Sequence, residues 1–181
     1  MSESPPSPPR RVAVVGTSGS GKTTFSRRLA ARLEVPHVEL DALFWLPDWQ
    51  EPDLTAFREK AEAAIGDDGE WVVDGNYSRI SDLVLGRADT VVWLDLPLRT
   101  CLWRTARRTV RRARSDEVLW GTNREQWSRL VGRDSLAWWV LTTHGRRRRE
   151  NEERFADAAY AHLRVHRFRS NAQAESWLAS I

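Results

Sequence analysis

The chain has 181 residues, 28 Lys and Arg against 25 Asp and Glu, and a formal net charge of +3. Its one cysteine, Cys101, excludes an intramolecular disulfide and a cysteine-based zinc site, which fits a cytoplasmic location. No apolar run approaches the length needed to span a membrane, so a single α/β domain with no membrane partner is expected.

Residues 1–10, MSESPPSPPR, are rich in Pro and Ser and lack the apolar stretch of a secretory signal. They are expected as a disordered tail ahead of one domain over residues 11–181. Val12-Ala13-Val14-Val15 then reads as a short buried parallel strand, over about residues 11–15. It leads into Gly16-Thr17-Ser18-Gly19-Ser20-Gly21-Lys22-Thr23, followed by Thr24. That is the G-x-x-x-x-G-K-[ST] pattern of a phosphate-binding P-loop. Glycines let successive N–H groups turn inward on phosphate oxygens, the Lys22 ammonium reaches the β- and γ-phosphates, and the Thr23 hydroxyl suits Mg²⁺. Apolar residues at helical spacing predict a helix over about 22–33, so the phosphates would lie at a helix N-terminus.

A second strand is expected over about 37–40, leaving Asp41 at the carboxyl edge of the sheet, where open α/β sheets bind ligands. Trp45 and Trp49 follow in a loop with Pro47 and suit stacking on a ring or walling a pocket, although any one of ten tryptophans can equally be packing. Asp53 is a candidate N-cap for a helix over 54–65, and Gly66 to Gly69 form a turn. Strand 71–74 ends in Asp74-Gly75-Asn76-Tyr77, and strand 90–95 ends in Asp95. Either aspartate fits a Walker B acid that holds Mg²⁺ through water, and strand order is needed to choose.

A long Arg-rich helix is expected over 98–112, with Arg104 and Arg108 four apart on one face. Placed over the phosphates, they would stabilise charge during phosphoryl transfer. Residues 113–146, with Gly121, Gly132 and Gly145, are expected as short helices between loops. A helix over 147–162, a strand over 163–168 and a helix over 172–178 complete the alternation, which argues a parallel sheet. Arg146 to Arg149 read as a solvated helix face or a nucleic-acid patch. Lys22 and Lys60 are the only lysines, so arginine is a general preference of the chain and Lys22 an exception to it.

GTSGSGKTT at 16–24, LDALFWLPDW at 40–49, WVVDGNY at 71–77, ADTVVWLDLP at 88–97, CLWRTARR at 101–108 and the ending RVHRFRSNAQAESWL together resemble the adenylate-kinase group of P-loop kinases. The likeness is nearest to small bacterial adenylate-kinase-like proteins labelled topology-modulation proteins. The resemblance implies a P-loop NTPase three-layer α/β/α fold with a five-stranded parallel sheet, the P-loop strand central, and a helical lid over about 109–146. It implies ATP and Mg²⁺, with Thr23 and Asp74 on the metal, Arg104 and Arg108 along the phosphates and adenine, and Ser170 and Asn171 touching the adenine ring.

The reaction expected is transfer of the γ-phosphate of ATP to a small acceptor, a nucleoside monophosphate foremost. Lys22, Arg104, Arg108 and Asp41 would be catalytic. Asp41, Trp45, Trp49, Gly75, Asn76, Tyr77 and Arg79 would form one acceptor pocket separate from the ATP site. Two alternatives stand beside it: a kinase of a small hydroxyl metabolite, and a nucleotide-gated regulatory or nucleic-acid-associated protein with weak ATPase activity.

Overall fold

The computed structural model describes residues 8–67, 69–115, 117–124, 132 and 135–181. In chain order the elements are β1 (Arg11–Gly16), α1 (Lys22–Leu33), β2 (His37–Glu39), α2 (Leu40–Phe44), α3 (Leu54–Ile65), β3 (Trp71–Asp74), α4 (Ser81–Arg87), β4 (Thr90–Leu94), α5 (Leu98–Ser115), β5 (Val118–Leu119), β6 (Asn123–Arg124), α6 (Leu136–Ala156), β7 (Arg164–Phe168) and α7 (Asn171–Ser180). Five strands form one parallel sheet in the order β2-β3-β1-β4-β7. The P-loop strand is central, as the resemblance implied, and both β3 and β4 flank it. Strand order alone therefore does not choose between Asp74 and Asp95.

Side-chain alternation divides the core into two layers. Val12, Val14, Val72, Val92 and Leu94 pack with Phe25 and Leu29 of α1 and with Ala174 and Leu178 of α7. Ala13, Val15, Val73, Val91 and Trp93 pack with Phe57 and Ala61 of α3 and with Leu83 and Val84 of α4. The three-layer α/β/α architecture follows, because a sheet buried on both faces needs helices on both.

Several boundaries differ from expectation. Leu40 opens α2 instead of ending β2, and α4 was not foreseen. At five and seven residues these helices are too short for a 3.6-residue period to register. Within 113–146, α5 runs on to Ser115, and residues 118–119 and 123–124 pair as an antiparallel hairpin instead of helices. Residues 116, 125–131 and 133–134 of the expected lid lie outside the described residues, as do residues 1–7 of the expected tail. Arg10, the end of that tail, is tied down: it pairs with Glu70 at 2.7 Å, and its N–H donates to Asp89 at 2.9 Å.

α6 begins eleven residues before the helix expected at 147, because the Ser135 hydroxyl accepts from the Trp138 N–H and caps it. Gly145 is tolerated inside this helix. It ends at Ala156, and Asp157 caps a separate short turn over Ala158–Tyr160. Among the described residues, no helix is long and apolar enough to cross a membrane.

Candidate active site

The P-loop joins β1 to α1. Gly19 has φ +81, and a side chain there would run into the backbone of Cys101 and the hydroxyl of Thr105. α5 therefore packs directly on the loop, which explains how its arginines reach it. Arg108 donates to Ser18 Oγ at 3.0 Å, and Arg104 donates to Asn171 Oδ1 at 3.3 Å. From the other side His144 of α6 meets the loop, its Nδ1 3.1 Å from Thr17 Oγ1.

Lys22 Nζ donates to Thr17 O at 3.4 Å and, among the described residues, has no carboxylate within ion-pair distance. Burial lowers its pKa below the usual lysine range; the carboxylates of Asp41 and then Asp74 oppose that shift, while Arg108 and Arg147 add to it. One cation and two carboxylates from three elements thus share a small volume. Ser20 is buried, and its Oγ has no hydrogen-bond partner among the described residues. An under-coordinated lysine and an unpartnered hydroxyl inside a glycine loop are what a nucleotide phosphate would satisfy. Glu39 is pushed up by burial and then by its Asp74 and Asp41 neighbours, so three carboxylates lie close together here. No three acidic, His or Cys side chains among the described residues converge closely enough to hold a metal unaided. Mg²⁺ carried on a triphosphate needs only one or two protein oxygens. Thr23, in the first turn of α1, and Asp74 fit that role.

Sheet parity separates the two aspartates. Asp74 continues the Val72 row, on the α1 face; it is 2 % exposed, with His37 Nε2 3.2 Å from its Oδ1. Asp95 continues the Val91 and Trp93 row, on the opposite face. There it accepts from Arg148 at 2.7 Å and twice from Arg167, at 2.9 and 2.7 Å. Arg167 also lies over the Trp93 ring at 4.1 Å and donates to Glu152 at 2.6 Å. Asp95 is the hub of a network tying β4, α6 and β7 together.

Beyond the P-loop opens a cavity of about 550 Å³. Asp41, Trp45, Trp49, Gly75, Asn76, Tyr77 and Arg79 all line it. It is not separate from the phosphate loop, because Ser18, Lys22 and Arg108 line it too. The carboxyl ends of β2 and β3 lie on the same sheet edge as the loop after β1, and that shared edge makes the volume continuous.

Two of the lining residues hold the scaffold as well. The Asn76 amide is engaged on both sides by Gly16, accepting from its N–H at 3.1 Å and donating to its carbonyl. Gly75, at φ +149, is required by Leu40, whose Cβ would lie 2.8 Å from any side chain there. The Tyr77 hydroxyl donates to Asp41 Oδ1 at 2.6 Å, and burial followed by the Asp41 charge raises its pKa. Ser170 caps α7, accepting from the Gln173 N–H at 3.3 Å, so its hydroxyl is engaged where an adenine contact was expected. Thr24 is exposed on α1.

Trp120, Trp139 and Arg112 also line the cavity without having stood out in the sequence, and so does Arg147, whose cluster has no cavity role there. Arg112 continues the four-residue stripe of Arg104 and Arg108. Of the cluster Arg146 to Arg149, expected as a solvated face or a nucleic-acid patch, Arg147 turns into the cavity and Arg148 onto Asp95. Starting α6 at Leu136 was the missing signal: the buried Val140, Thr143 and His144 set the inward face on which Arg147 follows.

Among solved structures, the chain is similar to shikimate kinase from Bacteroides thetaiotaomicron, at 15 % identity and TM-score 0.55, over 96 % of each chain. The fold is a P-loop kinase-like fold. An uncharacterized protein from Eubacterium ventriosum is similar at 12 % identity and TM-score 0.50, over 94 % of this chain and 96 % of that one. No protein-family model and no curated protein matches the sequence. The P-loop kinase-like chain thus takes its site chemistry from its own residues.

Proposed function

We infer that the chain is an ATP-dependent phosphotransferase acting on a small acceptor, in the adenylate-kinase-like group that includes the bacterial topology-modulation proteins. One observation carries this reading: Lys22 of the P-loop and the acceptor-side carboxylate Asp41 line one continuous cavity. Thr23 and Asp74 would hold Mg²⁺, which when bound would neutralise negative charge on the phosphates. The P-loop N–H groups and Lys22 grip the phosphates. Arg108, anchored by Ser18, stabilises charge that grows on the transferring group, and Arg104 beside Asn171 borders the nucleotide. The cavity walls exclude water and hold the acceptor in line.

Two acceptor classes remain within this reading. Arg79, Arg108 and Arg147 favour an anionic acceptor such as a nucleoside monophosphate. The Asp41–Tyr77 pair favours a hydroxyl acceptor, which needs a group to take its proton. The inward commitment of Arg147 and Arg148 weakens the regulatory, nucleic-acid-associated alternative, because half of the arginine cluster that supported it serves the interior. Coupled ADP release over a panel of nucleoside monophosphates and small alcohols, with water-only turnover as the blank, tests the function. Acceptor-dependent ADP release that is lost in Lys22→Ala is the expected result. ATP turnover that no acceptor stimulates would overturn it.

A further inference from the structure

Resting on the phosphotransferase reading, we propose that the acceptor is an alcohol carried on a flat ring and bearing a separate anionic group. Asp41 takes the hydroxyl, the Trp45–Trp49–Trp120 wall takes the ring, and Arg147 takes the anion.

The hydroxyl follows from Asp41. Tyr77 holds one of its carboxylate oxygens at 2.6 Å, which fixes the group and leaves the other oxygen for a ligand. A carboxylate set near the P-loop lysine repels a phosphate monoester approaching as nucleophile, and it attracts an O–H. The step balances: the alcohol oxygen attacks the γ-phosphorus, the bond from phosphorus to the β–γ bridging oxygen breaks, and the nucleoside diphosphate leaves. The hydroxyl proton passes to Asp41 and then to solvent.

The ring follows from the far wall. Phe44 meets Trp45 edge to face at 5.0 Å, Trp45 meets Trp49 at 5.4 Å and 74°, and Trp49 meets Trp120 at 5.8 Å and 87°. Such a zigzag presents alternating faces and edges, the arrangement in which another flat ring gains most. The wall is built at a cost. Trp49 and Trp120 both sit at positive φ, +60 and +39, which bulky side chains rarely adopt. A buried asparagine enforces it: Asn123 accepts from the Trp49 N–H at 2.8 Å and donates to Leu46 O at 2.9 Å. Trp49 Nε1 donates to Arg124 O at 3.1 Å, so its polar edge is held by the β5–β6 hairpin.

The anion follows from Arg147. Its guanidinium lies over the Trp139 ring at 4.3 Å, and it has no hydrogen bond or ion pair among the described residues. It is half-buried on the cavity wall, and burial holds its pKa below the ordinary arginine value. A half-buried, stacked and otherwise unpaired guanidinium is completed by a carboxylate or phosphate oxygen.

The test is calorimetric binding to the full chain with Mg²⁺ and a non-hydrolysable ATP analogue present. The probes are para-(hydroxymethyl)benzoate, benzyl alcohol, hydroxyhexanoate and AMP. The expected order has para-(hydroxymethyl)benzoate tighter than both benzyl alcohol and hydroxyhexanoate by about tenfold or more. Arg147→Ala abolishes the advantage over benzyl alcohol, and Trp45→Leu abolishes the advantage over hydroxyhexanoate. Each variant is compared with wild type by circular dichroism, and Arg147→Lys restores part of the anion preference should Arg147→Ala fold poorly. Equal binding of the three alcohols, or tighter binding of AMP that Asp41→Asn leaves unchanged, overturns the proposal while the ATP site stands. Failure of the wild-type chain to bind the ATP analogue overturns the phosphotransferase reading itself.

Discussion

Asn76 holds Gly16 by both of its backbone groups, across sixty residues of chain. The turn after β3 thereby fixes the first glycine of the P-loop, where β1 gives way to the phosphate cradle. A side chain that lines the cavity thus also sets the geometry of the nucleotide loop. Asn76→Ala should cost about 1 kcal/mol of stability for the lost pair of hydrogen bonds and weaken nucleotide affinity. Chemical denaturation and nucleotide titration measure the two effects. An unchanged nucleotide Kd would separate the Asn76 clamp from the phosphate site.

Lys22→Ala should abolish turnover and leave the fold intact. The expected loss of transition-state stabilisation is about 3 kcal/mol, comparable to deleting one strong electrostatic donor. Lys22 makes no ion pair among the described residues, and burial already disfavours its charged form, so the midpoint of thermal unfolding should not fall. Single-turnover kinetics and calorimetry on the same preparation check both halves.

Asp74→Asn should weaken Mg²⁺-dependent ATP binding more than Asp95→Asn does. Asp95→Asn should instead destabilise the fold by about 2 kcal/mol, because it takes the charge away from Arg148 and Arg167. Titrations with and without Mg²⁺, paired with denaturation, give the contrast. A larger metal-dependent loss from Asp95→Asn would reverse the assignment.

Asp41→Asn should lower transfer to acceptor while the Kd for ATP stays nearly constant, since Asp41 lines the cavity beyond Lys22. Tyr77→Phe, which frees the second carboxylate oxygen, should act in the same direction with a smaller effect. Steady-state kinetics against both substrates tests the pair.

His144 predicts a loss of stability in mild acid. Burial lowers its pKa, the Asp95 charge opposes that shift, and Arg148 adds to it. The unfolded chain, with an ordinary value of about 6.5, then binds more protons than the folded one. Stability should therefore be full above that value and fall as the pH drops through it toward the lowered folded value. Unfolding midpoints measured across this range for wild type and His144→Phe should show the slope shrink in the variant.

Much of this molecule was written locally. The G-x-x-x-x-G-K-T run, the apolar strands and the spacing of Arg104 and Arg108 depend on neighbours a few residues away, and their periods survive in the sequence. Parity along β3 and β4 puts Asp74 and Asp95 on opposite faces, a difference that only the helices packed on each face make visible. Tertiary structure decided the rest, because it joins residues far apart in the chain. Gly16 meets Asn76, Thr17 meets His144, and Trp49 meets Asn123 over separations of 60, 127 and 74 residues. Hydrogen bonds of that kind leave no period to read. The same holds for the cavity: its volume exists because β1, β2 and β3 end on one edge, and because Ser135 starts α6 early enough to turn Arg147 inward.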